Sequence, residues 1–443
     1  MESKAKTNPK NGLNAKRSCI ISAGEILTDG AMIELVSGSS GLDKPRLLLW
    51  NGRNATVGTR VQHGAHTYEV PDLAPSLCRA TRLPPHCTDY GSAHDFFVAV
   101  TDLFNLHLNL PKWASSLLAC FSIGTWLADR LPSVPTLVIS GPDEELGVDA
   151  LRLLSCICRH PLMLAEVTPG GFRSLPTQMS FTLLLDQQEL KPNMQRLLRA
   201  SKYRGLHLPG NRGSLVDLYG PKAILCGNDA AADTLGGGVI HISVTPSQLQ
   251  SSALDEQILV EIANKFQPRF LMYRLKNSEK VREARVDVSG FTFATRQLAR
   301  TLAMCFPEDS ELAREAVQLL RPQDQEVRAQ RSRDVNCAII EILWADVHGR
   351  KQRGVKVDEL AKDVNALLRS RGEIFEYSAE EIGWKLKSLN IQRHSDRSGR
   401  QVLLERETSQ NVHRLVRAFD LPCSQRAEAN CPDCNQTKTA LAK

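Results

Sequence analysis

Residues 137–157 read LVISGPDEELGVDALRLLSCI and have the outline of a phosphate-cradling loop. An apolar strand runs into Gly141, and the apolar spacing that follows predicts an amphipathic helix beginning near Asp149. A working loop reads G-x-x-x-x-G-K-[ST], in which the backbone amides and the lysine hold the phosphates and the hydroxyl ligates magnesium. Aligned from Gly141, this chain has Gly147 at the lysine position and Val148 at the hydroxyl position.

The loop also carries three acidic residues, Asp143, Glu144 and Glu145, where a polyphosphate would lie. Two like charges about 4 Å apart repel each other by roughly 1 kcal/mol in water, and by more near a protein surface. The attraction of an anion to a helix N-terminus is typically about 0.3–1 kcal/mol, so we expect the acids to cancel it. The sequence therefore predicts a degenerate nucleotide site.

Three further apolar strands are predicted after the loop, separated by helices, which favours a parallel sheet covered on both faces. In FTLLLDQQEL the strand ends at Asp186, a candidate magnesium ligand, but Gln187 holds the position of the water-activating glutamate. Glu189 is the alternative base two residues later, and KAILCGND places Asn228 near a polar sensor position. The candidate residues of the degenerate site are Gly141, Gly147, Asp186 and Asn228, and none is assigned a catalytic role.

In the order of its segments, the chain resembles the P-loop ATPase domains of primase–helicase-like proteins of phages, plasmids and other mobile elements. The likeness covers about 90–330 and rests on the order strand, GP-loop, helix, LLLD strand, LLRASKYRG, PKAILCGN and strand. It implies a P-loop NTPase-like α/β core with a helical lid. In that family the loop lysine, the loop hydroxyl, an acidic pair and an arginine carry hydrolysis. Only Asp186 and Asn228 match those positions here, so the resemblance implies the fold without the activity.

The C-terminal module, 334–420, is predicted to be a winged helix. Ser378 and Glu381 form a capping box at the start of its third helix, and IQRHSDRSGRQVLLER reads as two strands. From Lys385 to Arg406 there are six basic and two acidic residues, a local charge of +4 that favours contact with double-stranded DNA. The predicted DNA-binding residues are Lys385, Lys387, Arg393, Arg397 and Arg400. Trp384 is expected to be partly buried, and a protein-contact role for the module is the alternative.

Six segments follow from these patterns. They are a disordered basic arm (1–18), a small β module (19–80), the α/β core (90–253), the helical lid (254–333), the winged-helix-like module (334–420) and a flexible tail (421–443). The net charge of +6 is mild, so any affinity for nucleic acid must come from local patches. A second basic stretch could line a nucleic-acid channel, form a subunit interface in a homo-oligomer, or be plain surface; it comprises Arg196, Arg199, Lys202, Arg204 and Arg212.

The sequence gives no sign of a membrane segment or a metal site. The uncharged stretch 113–128 is shorter than the roughly 20 apolar residues of a spanning helix, so we predict a buried core helix. The first 18 residues lack the apolar run of a secretory signal, and the scattered cysteines indicate reduced thiols in a cytoplasmic protein. The CPDC at 431–434 has the spacing of half a zinc site, but no second pair is visible, and His413 is the nearest extra donor. We therefore predict free thiols in the tail, no metal and no cofactor.

These features favour a non-enzymatic function. The hypothesis is a catalytically silent P-loop ATPase-like scaffold, derived from a mobile-element primase–helicase, that associates with DNA through its winged helix. Two alternatives stay open. One is an active, helicase-like NTPase that uses Asp186 and Glu189 with an atypical phosphate loop. The other is a protein-interaction adaptor that does not bind DNA.

Overall fold

A computed structural model describes residues 19–38, 44–175, 179–209, 215–227, 234–245, 254–283, 286–349, 354–396, 399–421, 431 and 433–434. The predicted arm at 1–18, Asn228 and Arg397 lie outside these residues. The chain divides into two compact units. The first comprises Met1–Val286 and Arg300–Leu319, and the second comprises Asp287–Ala299 and Leu320–Lys443.

The first unit opens with two small sheets. One has the strand order β1-β7-β6 and the other has the order β2-β3-β4-β5. Their strands are β1 (Cys19–Ile21), β2 (Gly24–Ile26), β3 (Met32–Val36), β4 (Arg46–Trp50), β5 (Ala55–Gly58), β6 (Arg60–His63) and β7 (His66–Glu69). Every residue of β3 is buried, and Ile33 shares one hydrophobic core with Val138 and Leu183 of the central sheet. The β module and the central sheet are thus packed together.

The central sheet has five strands, all parallel, in the order β14-β8-β13-β10-β9. These strands are β8 (Thr136–Ser140), β9 (Pro161–Ala165), β10 (Thr182–Asp186), β13 (Lys222–Cys226) and β14 (Val239–Ser243). Between β10 and β13 in the chain, β11 (His207–Pro209) and β12 (Leu215–Asp217) form an antiparallel pair. The sheet confirms the predicted α/β class. The sequence identified four of its strands and missed β9, which lies at the edge beside β10.

Helices flank this sheet and follow it in the chain. They are α1 (Pro75–Ala80), α2 (Ala93–Leu108), α3 (Lys112–Trp126), α4 (Glu144–Ile157), α5 (Pro169–Arg173), α6 (Pro192–Ala200), α7 (Glu256–Asn277), α8 (Phe293–Met304) and α9 (Ser310–Gln318). In α3 every residue from Ala114 to Trp126 is buried, which confirms the core helix predicted there. Within the described residues no helix is both long and apolar enough to cross a bilayer.

Buried charges tie β3 to two helical regions of the first unit. Glu34 accepts hydrogen bonds from Arg159, which follows α4, and from Arg274 of α7. Arg274 also binds both carboxylate oxygens of Asp129. Every charged group in this cluster therefore has an oppositely charged partner, which a buried ion pair needs in order to offset its loss of hydration.

The second unit contains the C-terminal module and its own hydrophobic core. Its elements are α10 (Arg321–Ser332), α11 (Val335–Gly349), β15 (Gly354–Lys356), α12 (Val357–Ser370), α13 (Ala379–Ser388), β16 (His394–Asp396), β17 (Gly399–Leu403) and α14 (Arg406–Ala418). The three strands are antiparallel, in the order β15-β17-β16. Ser378 and Glu381 form the predicted capping box at the start of α13.

Candidate functional site

The turn between β8 and α4 is shorter than the sequence predicts. The helix begins at Glu144, not near Asp149. Asp143 is the N-cap residue, and its Oδ1 accepts a hydrogen bond from the backbone N–H of Leu146 at 2.9 Å. Acidic residues in the first turn favour a helix start because they complement its dipole. The three acids thus initiate the helix, and only residues 141–143 remain between strand and helix.

This helix start places a carboxylate where a phosphate would bind. The N-terminus of a helix attracts anions because its first N–H groups have no partner within the helix and carry a partial positive charge. Here one of those N–H groups donates to Asp143 itself. Glu144 and Glu145 follow directly and are exposed. The protein's own charges therefore occupy the position that would otherwise attract an anion.

The two glycines of the loop have packing roles. Gly141 has a φ of +131°, and a Cβ there would lie 2.0 Å from the backbone oxygen of Val244, which follows β14. The N–H of Val244 donates to the oxygen of Ser140 at 2.7 Å, so β14 continues to pair with β8 beside this glycine. A Cβ at Gly147 would lie 2.4 Å from Cδ1 of Leu225 on β13. Gly147, at the lysine position, therefore lets α4 approach the sheet.

Asp186 lies at the same edge of the sheet as the loop. It is the last residue of β10 and pairs with Leu225 of β13, while Cys226 pairs with Ser140 at the end of β8. Since β13 separates β8 from β10, the two sites are two strand spacings apart, about 10 Å. Asp186 is half-buried, and its backbone oxygen accepts a hydrogen bond from Glu166. Asn228, the fourth candidate, lies outside the described residues.

The residues after Asp186 form a closed turn. Gln187 donates its backbone N–H to Leu225 and its side-chain Nε2 to the backbone oxygen of Glu189. The N–H of Gly227 donates to the oxygen of Gln188, which joins this turn to the end of β13. The amide of Gln187 thus supports the turn, and the Glu189 side chain is exposed. Nothing in these contacts orients a general base.

A serine–histidine contact below the loop was not predicted. The Oγ of Ser140 lies 2.7 Å from Nε2 of His241, which is on the neighbouring strand β14. Ser140 is fully buried, so its hydroxyl is not accessible to a substrate. The contact joins β8 and β14 directly beneath Gly141. Sequence spacing could not reveal it, because the strand pairing that joins the two residues is set by the whole sheet.

Of the predicted DNA-binding residues, Lys385 and Lys387 lie on α13, Arg393 directly precedes β16, and Arg400 lies on β17. Lys387 and Arg400 are exposed, Lys385 and Arg393 are half-buried, and Arg397 is outside the described residues. Arg393 lies against the helix, since a Cβ on Gly383 would be 2.2 Å from its guanidinium. Trp384 is 61% exposed, so the prediction that it is partly buried is wrong. The buried stripe of α13 is formed by other residues, Ile382, Gly383 and Leu386.

The second basic stretch does not form a single surface patch. Lys202 is buried and donates to the backbone oxygens of Leu235 and Gly237, and burial lowers its pKa to about 8. The guanidinium of Arg204 donates to the oxygens of Ala128 and Leu131 and lies 4.4 Å from the ring centre of Tyr219. Both side chains thus have internal partners. Arg196 and Arg199 are exposed, and Arg212 lies outside the described residues.

The two cysteines of the CPDC motif are not isolated. His348 of α11, His413 of α14, Cys431 and Cys434 have ligand atoms that all lie within 4.8 Å of one another. The sequence predicts no second pair of ligands for this motif, whereas the fold places two histidines beside it. His413 is near the motif in the sequence, but His348 is 83 residues before Cys431. Only the packing of α11 against α14 places the His348 side chain beside the motif.

Comparison with known proteins assigns no family. No protein-family model and no curated protein match the chain. Among solved structures, the chain is similar to the A form apo structure of the NrS-1 C-terminal region, with 11% identity, a TM-score of 0.36, and coverage of 84% of this chain and 97% of that one. It is also similar to Cdc6p from Pyrobaculum aerophilum, with 11% identity, a TM-score of 0.19, and coverage of 68% and 92% respectively. Likeness at this level carries no functional assignment.

Proposed function

We propose that this chain is a catalytically silent P-loop ATPase-like scaffold that associates with double-stranded DNA through a winged helix in its second unit. The observation that carries the proposal is the cap of α4. Asp143 accepts the N–H of Leu146 at 2.9 Å, at the position where a phosphate-binding loop receives its ligand. The carboxylate of Asp143 thus takes the place at the helix N-terminus that a nucleotide phosphate would otherwise occupy.

The P-loop-like assignment is supported by the layout of the sheet. In open parallel sheets, ligand sites lie at the carboxyl ends of the strands. The turn at Gly141 and the carboxylate of Asp186 both lie at that edge, with β13 between them. The helix α4 starts directly after the turn, which is the arrangement of strand, turn and helix that cradles phosphate in active members of the class.

Loss of nucleotide binding is supported by charge. A triphosphate at the start of α4 would approach Asp143, Glu144 and Glu145 with no lysine to neutralise it. Each close pair of like charges costs about 1 kcal/mol even in water. The attraction of the helix terminus is of the same size, about 0.3–1 kcal/mol, and cannot offset three such pairs. Packing adds a second obstacle, since Gly147 contacts β13 where a functional loop has its lysine.

DNA association is supported by the order and surface of the second unit. From α11 to β17 its elements run helix, strand, helix, helix and two strands, and the third of these helices begins with a capping box. Trp384 and Lys387 lie one turn apart on the exposed side of that helix, and Arg400 is exposed on β17. A helix that enters a groove, with basic residues on an adjacent hairpin to contact phosphates, is a docking mode suited to this arrangement.

The ATPase half of the proposal is tested by titrating the full chain with ATP and magnesium in a calorimeter. We expect no saturable heat. Saturable, magnesium-dependent binding that disappears in Asp186→Ala would contradict the proposal and support the helicase-like NTPase alternative. The variant Asp217→Ala is a matched control, because it removes an exposed carboxylate from β12, away from the strand edge that carries the loop.

The DNA half is tested by fluorescence anisotropy of a labelled duplex over a range of salt concentrations. Phosphate contacts release counterions, so the logarithm of the association constant should fall linearly with the logarithm of the salt concentration, with a slope of roughly −0.9 for each phosphate neutralised. An absence of binding at low salt would contradict the DNA proposal and favour the protein-interaction adaptor. The ATP result is independent of this outcome.

A further inference from the structure

We propose that His348, His413, Cys431 and Cys434 form a closed, four-ligand site for one structural Zn²⁺ ion. The site belongs to the second unit, whereas the degenerate loop belongs to the first, so zinc binding is proposed independently of nucleotide binding. Two ligands come from helices, α11 and α14, and two come from the C-terminal motif CPDC. The ion would fasten that motif to the helices.

The distances between the ligand atoms match a tetrahedral site. Cys431 Sγ lies 3.3 Å from Nε2 of His413, and Cys434 Sγ lies 3.4 Å from the same nitrogen and 3.5 Å from Nε2 of His348. Zinc binds sulfur at about 2.3 Å and nitrogen at about 2.0–2.1 Å, so tetrahedral geometry separates the two by about 3.5 Å. The side chains are therefore spaced as zinc ligands without any rearrangement of the backbone.

Both histidines are oriented for metal binding through Nε2. His348 Nδ1 lies 2.8 Å from the oxygen of Trp344, and His413 Nδ1 lies 2.7 Å from the oxygen of Ser409. A carbonyl oxygen only accepts, so each Nδ1 carries a proton, and in the neutral ring each Nε2 then presents its lone pair. Histidine ligands in metal sites are typically held in this way, with the second ring nitrogen donating to a backbone carbonyl.

Hydrogen bonds alone explain the cluster less well than a metal does. Two S–H groups can donate to the two Nε2 atoms, one to each, yet there are three sulfur–nitrogen contacts of 3.3, 3.4 and 3.5 Å. One of these contacts therefore has no proton between its two atoms. A cation between the four atoms would accept electron pairs from both deprotonated sulfurs and both nitrogens.

The surroundings of the cluster are those of a structural site. His413 is 2% exposed and Cys434 is 3% exposed, which limits access of water to the centre. The indole of Trp344 packs on both imidazoles, with ring centres 4.2 Å from His348 and 4.5 Å from His413. Arg417 of α14 donates to the backbone oxygen of Asp433 at 2.7 Å, which ties the residue before Cys434 to this helix. Four protein ligands leave no open position for a substrate.

The ligand set selects zinc. Two thiolates and two imidazoles in tetrahedral geometry suit Zn²⁺, whereas magnesium and calcium require oxygen ligands. No carboxylate belongs to the set of four. The two cysteines of the CPDC motif supply one pair of ligands, and two histidines on earlier helices, His348 and His413, supply the second pair.

The first test measures zinc by mass spectrometry in tag-free protein that contains all 443 residues. We expect about one zinc per chain, as a closed four-ligand site holds one ion. Cys434→Ser and His348→Ala should each reduce this content to near zero. The controls Cys19→Ser and His394→Ala remove an exposed cysteine and an exposed histidine and should retain it. Equal zinc content in the wild type and Cys434→Ser would overturn the proposal.

A second measurement covers the case in which a ligand variant fails to fold. Wild-type protein depleted of metal and loaded with Co²⁺ should show the intense visible bands of a tetrahedral site together with sulfur-to-cobalt charge transfer in the near ultraviolet. Added Zn²⁺ should displace these bands. A spectrum of six-coordinate cobalt without charge transfer would overturn the proposal, even if every variant were unfolded.

Discussion

The Nε atom of Arg274 donates to Oε1 of Glu34 at 2.6 Å, and neither side chain is more than 1% exposed. The same oxygen accepts from Arg159 at 2.7 Å, so one carboxylate serves two guanidinium groups. Burial acts to raise the pKa of Glu34, but the positive charges of Arg159 and Arg274 outweigh it and hold the pKa below its ordinary value. Glu34 is therefore the anion that links strand β3 to the segment after α4 and to helix α7.

Glu34→Gln should strongly destabilise the protein. Removing one partner of a buried ion pair typically costs about 3–5 kcal/mol, because the remaining charges stay buried without compensation. Urea unfolding followed by circular dichroism measures the change. Glu69→Gln is the control: it breaks the pair of a half-buried carboxylate with the exposed Arg60 and should cost less than about 1 kcal/mol. Equal losses in the two variants would contradict the structural role of the cluster.

Stability should fall as the solution is acidified, and His160 should begin the decline. This histidine lies 3.7 Å from Glu34, yet burial lowers its pKa to about 3, so it is neutral in the folded chain at pH 5. The unfolded chain binds this proton from about pH 6.5 downward, and stability falls between those two values. His160→Gln should flatten the unfolding free energy between about pH 6.5 and 4 relative to wild type. An unchanged slope in that interval would show that His160 does not titrate as described.

Local signals in the sequence predicted much of the fold. The apolar runs that form β8 and β13 are visible in the sequence, and the capping box at Ser378 marks the start of α13. The edge strand β9 lacks such signals: PLMLA begins with a proline, and no glycine separates it from the helix that ends at Ile157. Apolar period and propensity do not separate such a run from the helical segment before it.

The candidate sites depended on information that the sequence contains only indirectly. In the loop motif the glycine at 147 indicates the loss of a lysine, whereas its packing on Leu225 explains why a side chain is absent there. That packing of α4 on β13 is something no spacing rule predicts. In the same way, His348 became a candidate ligand only after α11 and α14 placed it beside Cys434. The residue types indicate which side chains could bind a phosphate or a metal, but tertiary packing determines which of these side chains lie next to one another.

Gly147→Lys should lower stability without restoring nucleotide binding. Any side chain at this position begins with a Cβ that would lie 2.4 Å from Leu225, so the helix must move or the leucine must repack. Overpacking of this kind typically costs about 1–3 kcal/mol. Thermal unfolding and ATP titration measure the two effects. Val148→Ser, at the half-buried neighbouring position, is the control and should change stability much less. A stable Gly147→Lys protein that binds ATP would contradict our account of the loop.

Asp143→Ala should destabilise α4, and Asp143→Asn should not. The carboxylate Oδ1 caps the helix by accepting from Leu146, and alanine removes that acceptor at a cost of about 0.5–2 kcal/mol. Asparagine retains an oxygen at the same position and should stay within about 0.5 kcal/mol of the wild type. Chemical denaturation compares the three proteins. If the alanine variant were as stable as the asparagine variant, the cap would not be the reason that the helix begins at Glu144.

Charge reversal on the second unit should weaken DNA binding in a salt-dependent way. Lys387→Glu and Arg400→Glu replace exposed cations on α13 and β17 with anions, so each should reduce duplex affinity. Each should also lower the salt slope by about one unit for every phosphate that the variant no longer neutralises. Anisotropy titrations at several salt concentrations give both quantities. Lys112→Glu makes the same charge change at an exposed position of the first unit and should leave the slope unchanged. Equal effects of all three reversals would mean that net charge, and not this surface, governs binding.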